Sequence, residues 1–421
     1  MPLTDHPPLP APRTTYGAVL GSRHVARLLG GTLVGRLPNG MAPVAIVLLI
    51  TAGGGSLAFG GLLSALYALA SALSQPVKGR LMDRYGQTLV SGPAVALNSG
   101  SLLLLPAVGT AGHPSVPTAV VALAGLCTPP LEAGLRALWA SVLPDPGQRR
   151  VALALDTGTQ GLLYIAGPLL VAALASAHGP ATAIVVTATL GLFGTVVVLT
   201  TPTSRTWRPA PADPGDATGR LLSAGLVLLF VALAGVGFAI GGMNVWAVTM
   251  ADEHEMDLLS GLLPATFSTG SFLGGLIYGR RTWPGSNTSQ LLCSALGFLA
   301  GWLPLLALPG PYAATAAVAV PGLFLTLIVT CGFMATDTLA PATRTTEAYA
   351  WLILSIGVGQ SGGTALAGAL AALSLAGPAL PAAGAAAALT VLALARPRLA
   401  AAQAPVRRDR HRRTPVHAAR T

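Results

Sequence analysis

Apolar runs of about twenty residues, separated by short polar stretches carrying Gly, Pro and Asn, repeat along the whole chain. A helix that crosses a bilayer needs about 20 predominantly apolar residues. That template fits twelve segments: 25–50, 56–77, 88–109, 117–140, 151–176, 180–200, 221–249, 259–279, 290–309, 313–336, 347–373 and 377–395. Strand-like alternation is absent, which argues against a β-barrel. The pattern predicts an all-α membrane protein of twelve transmembrane helices. Its longest polar connection, TPTSRTWRPAPADPGDATGR, follows the sixth segment and divides the set into two six-helix halves. The expected organisation is a disordered tail over 1–20, an N-terminal half over 21–200 and a linker over 201–220. A C-terminal half over 221–396 and a basic tail over 397–421 complete it.

Composition agrees with a lipid-facing exterior. Of 421 residues, 52% are hydrophobic and only 9% are charged. Soluble domains carry about 25% charged residues, and so few could not cover a water-facing surface. The net charge of +10 would point to nucleic acid in a soluble protein, but here its distribution matters more than its sum. Taken in order, the odd loops between spans hold no Lys or Arg, whereas the tails and even loops hold all but Arg36 and Arg136. The loop between spans 7 and 8, ADEHEMD, holds four acids instead. Basic residues concentrate on the cytoplasmic side, so both termini are expected there. The opening MPLTDHPPLPAPRTTYG lacks the basic start, apolar core and cleavage site of a signal peptide. Cys127, Cys293 and Cys331 form no disulfide framework or CxxC pair.

One stretch breaks the apolar rhythm. KGRLMDRYGQ, Lys78 to Gln87, puts Lys78, Arg80, Asp83 and Arg84 into ten residues, directly after 22 residues without a charge. It falls between spans 2 and 3. At that place GRLMDRYGQ resembles the loop 2–3 signature of the major facilitator superfamily, roughly G-x-L-x-D-R-x-G-R/K. Gly79, Leu81, Asp83, Arg84 and Gly86 match, and Gln87 stands where a base is usual. The resemblance covers about residues 20–395. It implies two halves that rock about a central site, with Gly79, Asp83, Arg84 and Gly86 forming a gating motif. It further implies that Asp83 holds the start of span 11, RTTEAYAW from Arg344 to Trp351, and so latches the cytoplasmic side shut. YGRRTW in loop 8–9 is a degraded echo without the acid, as a diverged repeat would leave. The alternative for these charges is that they only fix topology.

Within the superfamily, GRLPNGMAPVAIVLLI, DTGTQGLLYIAGPLL, GSFLGGLIYGRRTW and TEAYAWLILSIGVGQSGG resemble an actinobacterial group described as drug-efflux-like or sugar-efflux-like. Gly167-Pro168 is similar to the span 5 Gly-Pro element of antiporter members. Where that group has a Glu, this chain has Gly161, and the span 4 Arg-x-x-Gln-Gly element is not recognisable.

Ionisable residues inside a membrane are costly, so each is a functional candidate. Arg36 lies about 16 Å into span 1 at 1.5 Å per residue, with Asn39 on the same side. It could offer a fixed positive charge to a polar or anionic substrate, pair with a coupling carboxylate, or make a structural salt bridge. Glu132 and Arg136 on span 4 are spaced to pair with each other, either in support of the latch or in function. Asp156, Gln160 and Tyr164 form a stripe on span 5, as cavity lining or as hydrogen-bonding between helices. Glu347 and Trp351 begin a similar stripe on span 11, where Glu347 could cap the helix or take part in coupling. Asn244, Trp246 and Gln360 complete the cavity candidates.

These readings add up to a secondary active transporter in a bacterial cytoplasmic membrane. No GxxxxGK[ST] phosphate-binding loop is present, so an ion gradient, with protons as the first expectation, should drive it. The expected activity is proton-coupled export of small amphipathic drugs or secondary metabolites by alternating access. Sugar efflux and proton-coupled uptake are the alternatives. A polytopic membrane enzyme would need clustered catalytic groups, and the seven histidines are scattered over tails and separate loops. No cofactor, metal or nucleic acid is expected. The partners are a small-molecule substrate, protons and the lipid bilayer, and the chain is expected to act as a monomer. The basic run RRDRHRR, Arg407 to Arg413, reads as a tail held on anionic lipid.

Overall fold

The computed structural model describes residues 16–108, 113–208, 223–256, 258–281, 283–308, 310–370 and 376–403. Among these residues there is no strand. The helices are α1 (Tyr16–Leu20), α2 (Val25–Ala52), α3 (Leu57–Tyr85), α4 (Gln87–Val108), α5 (Ser115–Leu126) and α6 (Leu131–Val142). They continue with α7 (Pro146–His178), α8 (Pro180–Leu199), α9 (Pro202–Thr206), α10 (Ala224–Glu253) and α11 (Leu259–Arg280). The last are α12 (Asn287–Trp302), α13 (Pro311–Ala317), α14 (Ala319–Leu339), α15 (Thr345–Ala369) and α16 (Ala376–Gln403). Among the described residues, eleven segments are long and apolar enough to cross a membrane. α11 is also 22 residues long, but its Ser and Thr residues make it less apolar. It packs against α7 and α14 and completes the expected twelve.

The helix starts follow local chemistry. Ser56 accepts from Phe59 N, Asp145 from Gln148 N, Ser223 from Leu226 N and Ser286 from Ser289 N. These contacts satisfy amides that the first turn leaves without partners. Within lipid, helices attract one another by close packing, which small residues permit. A Cβ on Gly194 of α8 would collide with the backbone of Gly35 and Gly31 on α2. Along the α10–α15 contact, a Cβ on Gly359 would strike Ala234 O and one on Gly363 would strike Phe238 O. The Gly359/Gly363 spacing is therefore a packing device.

The structure corrects several sequence boundaries. The charged stretch after span 2 is not a loop: α3 runs on to Tyr85, and Gly86 alone, at φ 88°, makes the turn into α4. The helix can continue because Lys78 and Asp83 are buried against partners rather than left for water to solvate. Span 4, expected as unbroken, splits into α5 and α6 at Cys127–Pro130. Pro129 and Pro130 lack the amides that would continue the ladder. Residues 16–20, expected within a disordered tail, form α1. Its Val19 is fully buried, and Tyr16 Oη donates to Gly275 O (2.7 Å) and Leu276 O (2.8 Å) of α11. Burial pushes the Tyr16 hydroxyl up to about 12, against the opposing pull of Arg280, so it stays a donor. α16 extends to Gln403, past the expected start of the tail. Most of the linker (209–220) and residues 404–421 of the tail lie outside the described residues.

The ends of α3, α11 and α14 and the starts of α2, α7 and α15 gather at one end of the bundle, together with α1. This end carries Arg84, Arg149, Arg150, Arg280 and Arg344 and is termed the base-rich face. Asp252 and Glu253 end α10 at the opposite face.

Candidate functional site

Four ionisable side chains meet inside the first six spans. α2 and α7 approach closely: a Cβ on Gly40 would lie 2.6 Å from Leu163 O, and one on Gly167 2.8 Å from Gly40 C. This crossing sets Arg36 opposite Asp156, 2.9 Å apart (Nη1 to Oδ1). The break in span 4 brings the first turn of α6 to the same level. Glu132 Oε2 lies 3.1 Å from Arg36 Nη2, and Glu132 Oε1 lies 2.5 Å from Arg136 Nη1. Arg136 Nη2 closes the ring at 3.0 Å from Asp156 Oδ2. Each arginine therefore touches both carboxylates, and the four formal charges cancel.

Burial makes this quartet energetically demanding. Each ion withdrawn from water costs several kcal/mol unless its geometry and hydrogen bonding are good. The side chains of Asp156 and Arg136 are fully buried, Arg36 is 3% exposed, and Glu132 is the most open at 15%. Gln160 adds a link at the rim. With its amide oxygen toward Arg36 it accepts from Arg36 Nη2 at 3.2 Å and donates to Glu132 Oε1 at 3.3 Å. One further turn along α7, Tyr164 is exposed. The N-terminus of α6 also favours the negative charge of Glu132.

The quartet reaches across to the second half of the chain. Arg136 Cζ sits 3.6 Å from the centroid of the Phe333 ring of α14. Phe333 meets Tyr349 of α15 edge-on at 5.5 Å, and the Tyr349 hydroxyl donates to Asp337. A cation over an aromatic face is attracted by the ring quadrupole, so one charge of the quartet is shared between the halves.

A second constellation closes the base-rich face. α15 lacks a side-chain cap of its own, and Asp83 of α3 supplies one. Its Oδ1 accepts from Thr346 N (3.1 Å) and its Oδ2 from Glu347 N (2.8 Å). Gly79, one turn earlier, makes room: a Cβ there would lie 2.9 Å from Thr346 O and 3.0 Å from Glu347 Cα. Glu347 itself is held by Arg344 through two 2.9 Å hydrogen bonds. Arg84 is exposed and lies over the Tyr85 ring at 5.2 Å. Gln87 is fully buried, and its Oε1 accepts from Ser204 Oγ (3.1 Å) on α9, a position where an unpaired base would be costly.

The sequence candidates thus divide. Arg36, Glu132, Arg136, Asp156 and Gln160 converge, with Tyr164 beside them. Arg36 spends its charge on two carboxylates, so the free positive charge considered for an anionic substrate is not there. Glu132 and Arg136 are not an isolated pair, as their spacing suggested, but half of the ring. Glu347 belongs to the closure at the base-rich face. Trp246 is buried in the core against Gly377. Asn39, Asn244, Trp351 and Gln360 are half-buried. Phe333 gave no sequence signal beyond an aromatic in an apolar run. The sequence marks Lys78 only as one of the bases that set topology.

The sequence model of the Major Facilitator Superfamily matches residues 28–287. The chain belongs to the major facilitator superfamily. Solved members share its fold at low identity. A bacterial homologue of the iron transporter ferroportin, in an outward-facing state, is 14% identical with a TM-score of 0.65, covering 90% of this chain and 99% of that one. The E. coli fucose:proton symporter FucP is 14% identical with a TM-score of 0.66, covering 88% and 98%. The human organic anion transporter TETRAN is 16% identical with a TM-score of 0.61, covering 90% and 99%. No curated protein matches the chain in sequence. This superfamily member is a multi-pass membrane transporter, and the charged quartet and the Asp83 closure are its candidate working parts.

Proposed function

We propose that the chain is a proton-coupled exporter of small amphipathic molecules in a bacterial cytoplasmic membrane, with its base-rich face toward the cytoplasm. The observation that carries this reading is the charge-balanced quartet, in which Glu132, at 15%, is the most exposed member. Glu132 is then the group that exchanges a proton with the cavity. A proton on its carboxylate leaves Arg36 and Arg136 sharing Asp156 and gives the ring one net positive charge. That excess charge weakens the hold on Arg136, the residue touching Phe333 of the other half.

Asp83 caps the start of α15; on this reading the base-rich face is then shut, and a cavity would open to the other side. Asn39, Gln160, Tyr164, Asn244, Trp351 and Gln360 would line that cavity, offering amide, hydroxyl and indole groups but no unpaired charge. Such a lining suits neutral or weakly charged amphipathic molecules better than strong anions.

The test uses the full chain in liposomes holding a pH-sensitive dye, with an imposed pH gradient and a panel of antibiotics, cationic dyes and sugars. Proton movement on addition of an amphipathic compound, abolished by Arg36→Ala, supports the reading. A response confined to sugars replaces it with sugar efflux, and co-directional movement of proton and substrate replaces export with uptake.

A further inference from the structure

The break in span 4 leaves carbonyls stranded at membrane depth, and their partners can be accounted for one by one. An α-helix ends with four carbonyls that lack intrahelical donors. At the end of α5, Leu123 O accepts from Cys127 N (3.0 Å) and Ala124 O from Asn98 Nδ2 (2.7 Å). Gly125 O accepts from Thr128 N (3.1 Å) and Thr128 Oγ1 (2.9 Å). Leu126 O should meet the amide of residue 130, but Pro130 has none. Lys78 Nζ of α3 takes that place at 3.2 Å and also donates to Thr128 O. Lys78 is 7% exposed, and no carboxylate pairs with it among the described residues. An ammonium buried without a counter-charge is costly, yet here its donors are spent on the backbone at one break.

Its neighbours on both sides are the two working constellations. Gly79 follows it directly, and Asp83 lies on the next turn of the same helix; both hold α15. The carbonyls that Lys78 grips, Leu126 O and Thr128 O, lie five and three residues before Leu131, the start of α6, which carries Glu132 and Arg136. We propose that Lys78 is a positioning residue that couples the Asp83 closure to the quartet, by tying α3 to the break that orients α6. This inference rests on reading both constellations as parts of one transport cycle. When α3 parts from α15, the ammonium draws the stranded carbonyls with it and shifts the first turn of α6, and with it Glu132. Displacement of the quartet acts back on the closure by the same route, because coupling between two sites is reciprocal.

The test is amide hydrogen exchange, followed by mass spectrometry, on the purified full chain in lipid nanodiscs without substrate. Asp83→Asn loosens the closure at Thr346 and Glu347. The coupling predicts that it also speeds exchange at Leu131–Gly134 by roughly tenfold, within the range of linked sites. Lys78→Met, which keeps the length and removes the charge, speeds exchange at the same amides. Adding Asp83→Asn to Lys78→Met then produces no further change at Leu131–Gly134. Wild-type exchange at Leu131–Gly134 in Asp83→Asn, or additive effects in the double variant, overturns the proposal. Should Lys78→Met fail to insert, Asp83→Asn against wild type decides alone. No substrate or gradient enters the measurement, so its failure and the failure of the export reading are separate results.

Discussion

Arg36 and Arg136 each touch both Glu132 and Asp156, so removing any one of the four strands charge in a low-dielectric interior. Breaking a buried pair by deleting one partner costs about 3–5 kcal/mol, whereas replacing a whole pair by apolar groups can be neutral. Asp156→Leu should therefore lower the thermal stability of the detergent-solubilised protein strongly, and Arg36→Met with Asp156→Leu should recover much of the loss. A double variant as unstable as the single would show that the ring is held by something other than charge balance. Glu132→Gln is a milder change, because an amide keeps hydrogen bonds at the most exposed corner. It should leave folding intact while removing the exchangeable proton. The sequence showed the depth of Arg36, the spacing of Glu132 and Arg136, and the stripe from Asp156. It could not show that they meet, since Arg36 and Asp156 are 120 positions apart and nothing local in one span specifies the rotation of another.

At the scale of elements, α15 borrows its cap from α3. Asp83→Asn keeps one acceptor but loses the charge that favours a helix N-terminus, worth typically 0.3–1 kcal/mol, or up to about 2 in partly buried geometry. Transport should fall while the amount of inserted protein stays at the wild-type level; unchanged turnover would reduce the motif to a topology signal. Gly79→Val places methyl groups where Thr346 O lies 2.9 Å from a bare Cβ. It should hold the base-rich face open, read as faster labelling of that face by an impermeant reagent in inverted vesicles. Apolar run length and Gly, Pro and cap residues made the spans legible. Two elements escaped for opposite reasons. The stretch after span 2 reads as a loop because four charges in ten residues call for water, but Lys78 and Asp83 have backbone partners. Span 4 looked continuous because its apolarity never lapses, although Pro129-Pro130 cannot extend a helix.

Across the whole molecule, the closures named above lie toward the base-rich face: Asp83 on α15, Arg136 on Phe333 and Tyr16 on α11. The two halves are thus joined at one end, as alternating access requires of one of its two states. The basic run Arg407 to Arg413 lies outside the described residues. Deleting 404–421 should leave transport largely intact; complete loss at normal protein level would assign the tail a role in the cycle.

The most direct test of proton coupling at the quartet compares wild type with Glu132→Gln in liposomes, using the compound that moves most protons in the panel. The quartet account predicts that Glu132→Gln still exchanges labelled for unlabelled compound across the membrane, yet no longer accumulates it against a gradient when a pH difference is imposed. Gradient-driven accumulation at the wild-type rate in Glu132→Gln would contradict it and place the coupling proton elsewhere.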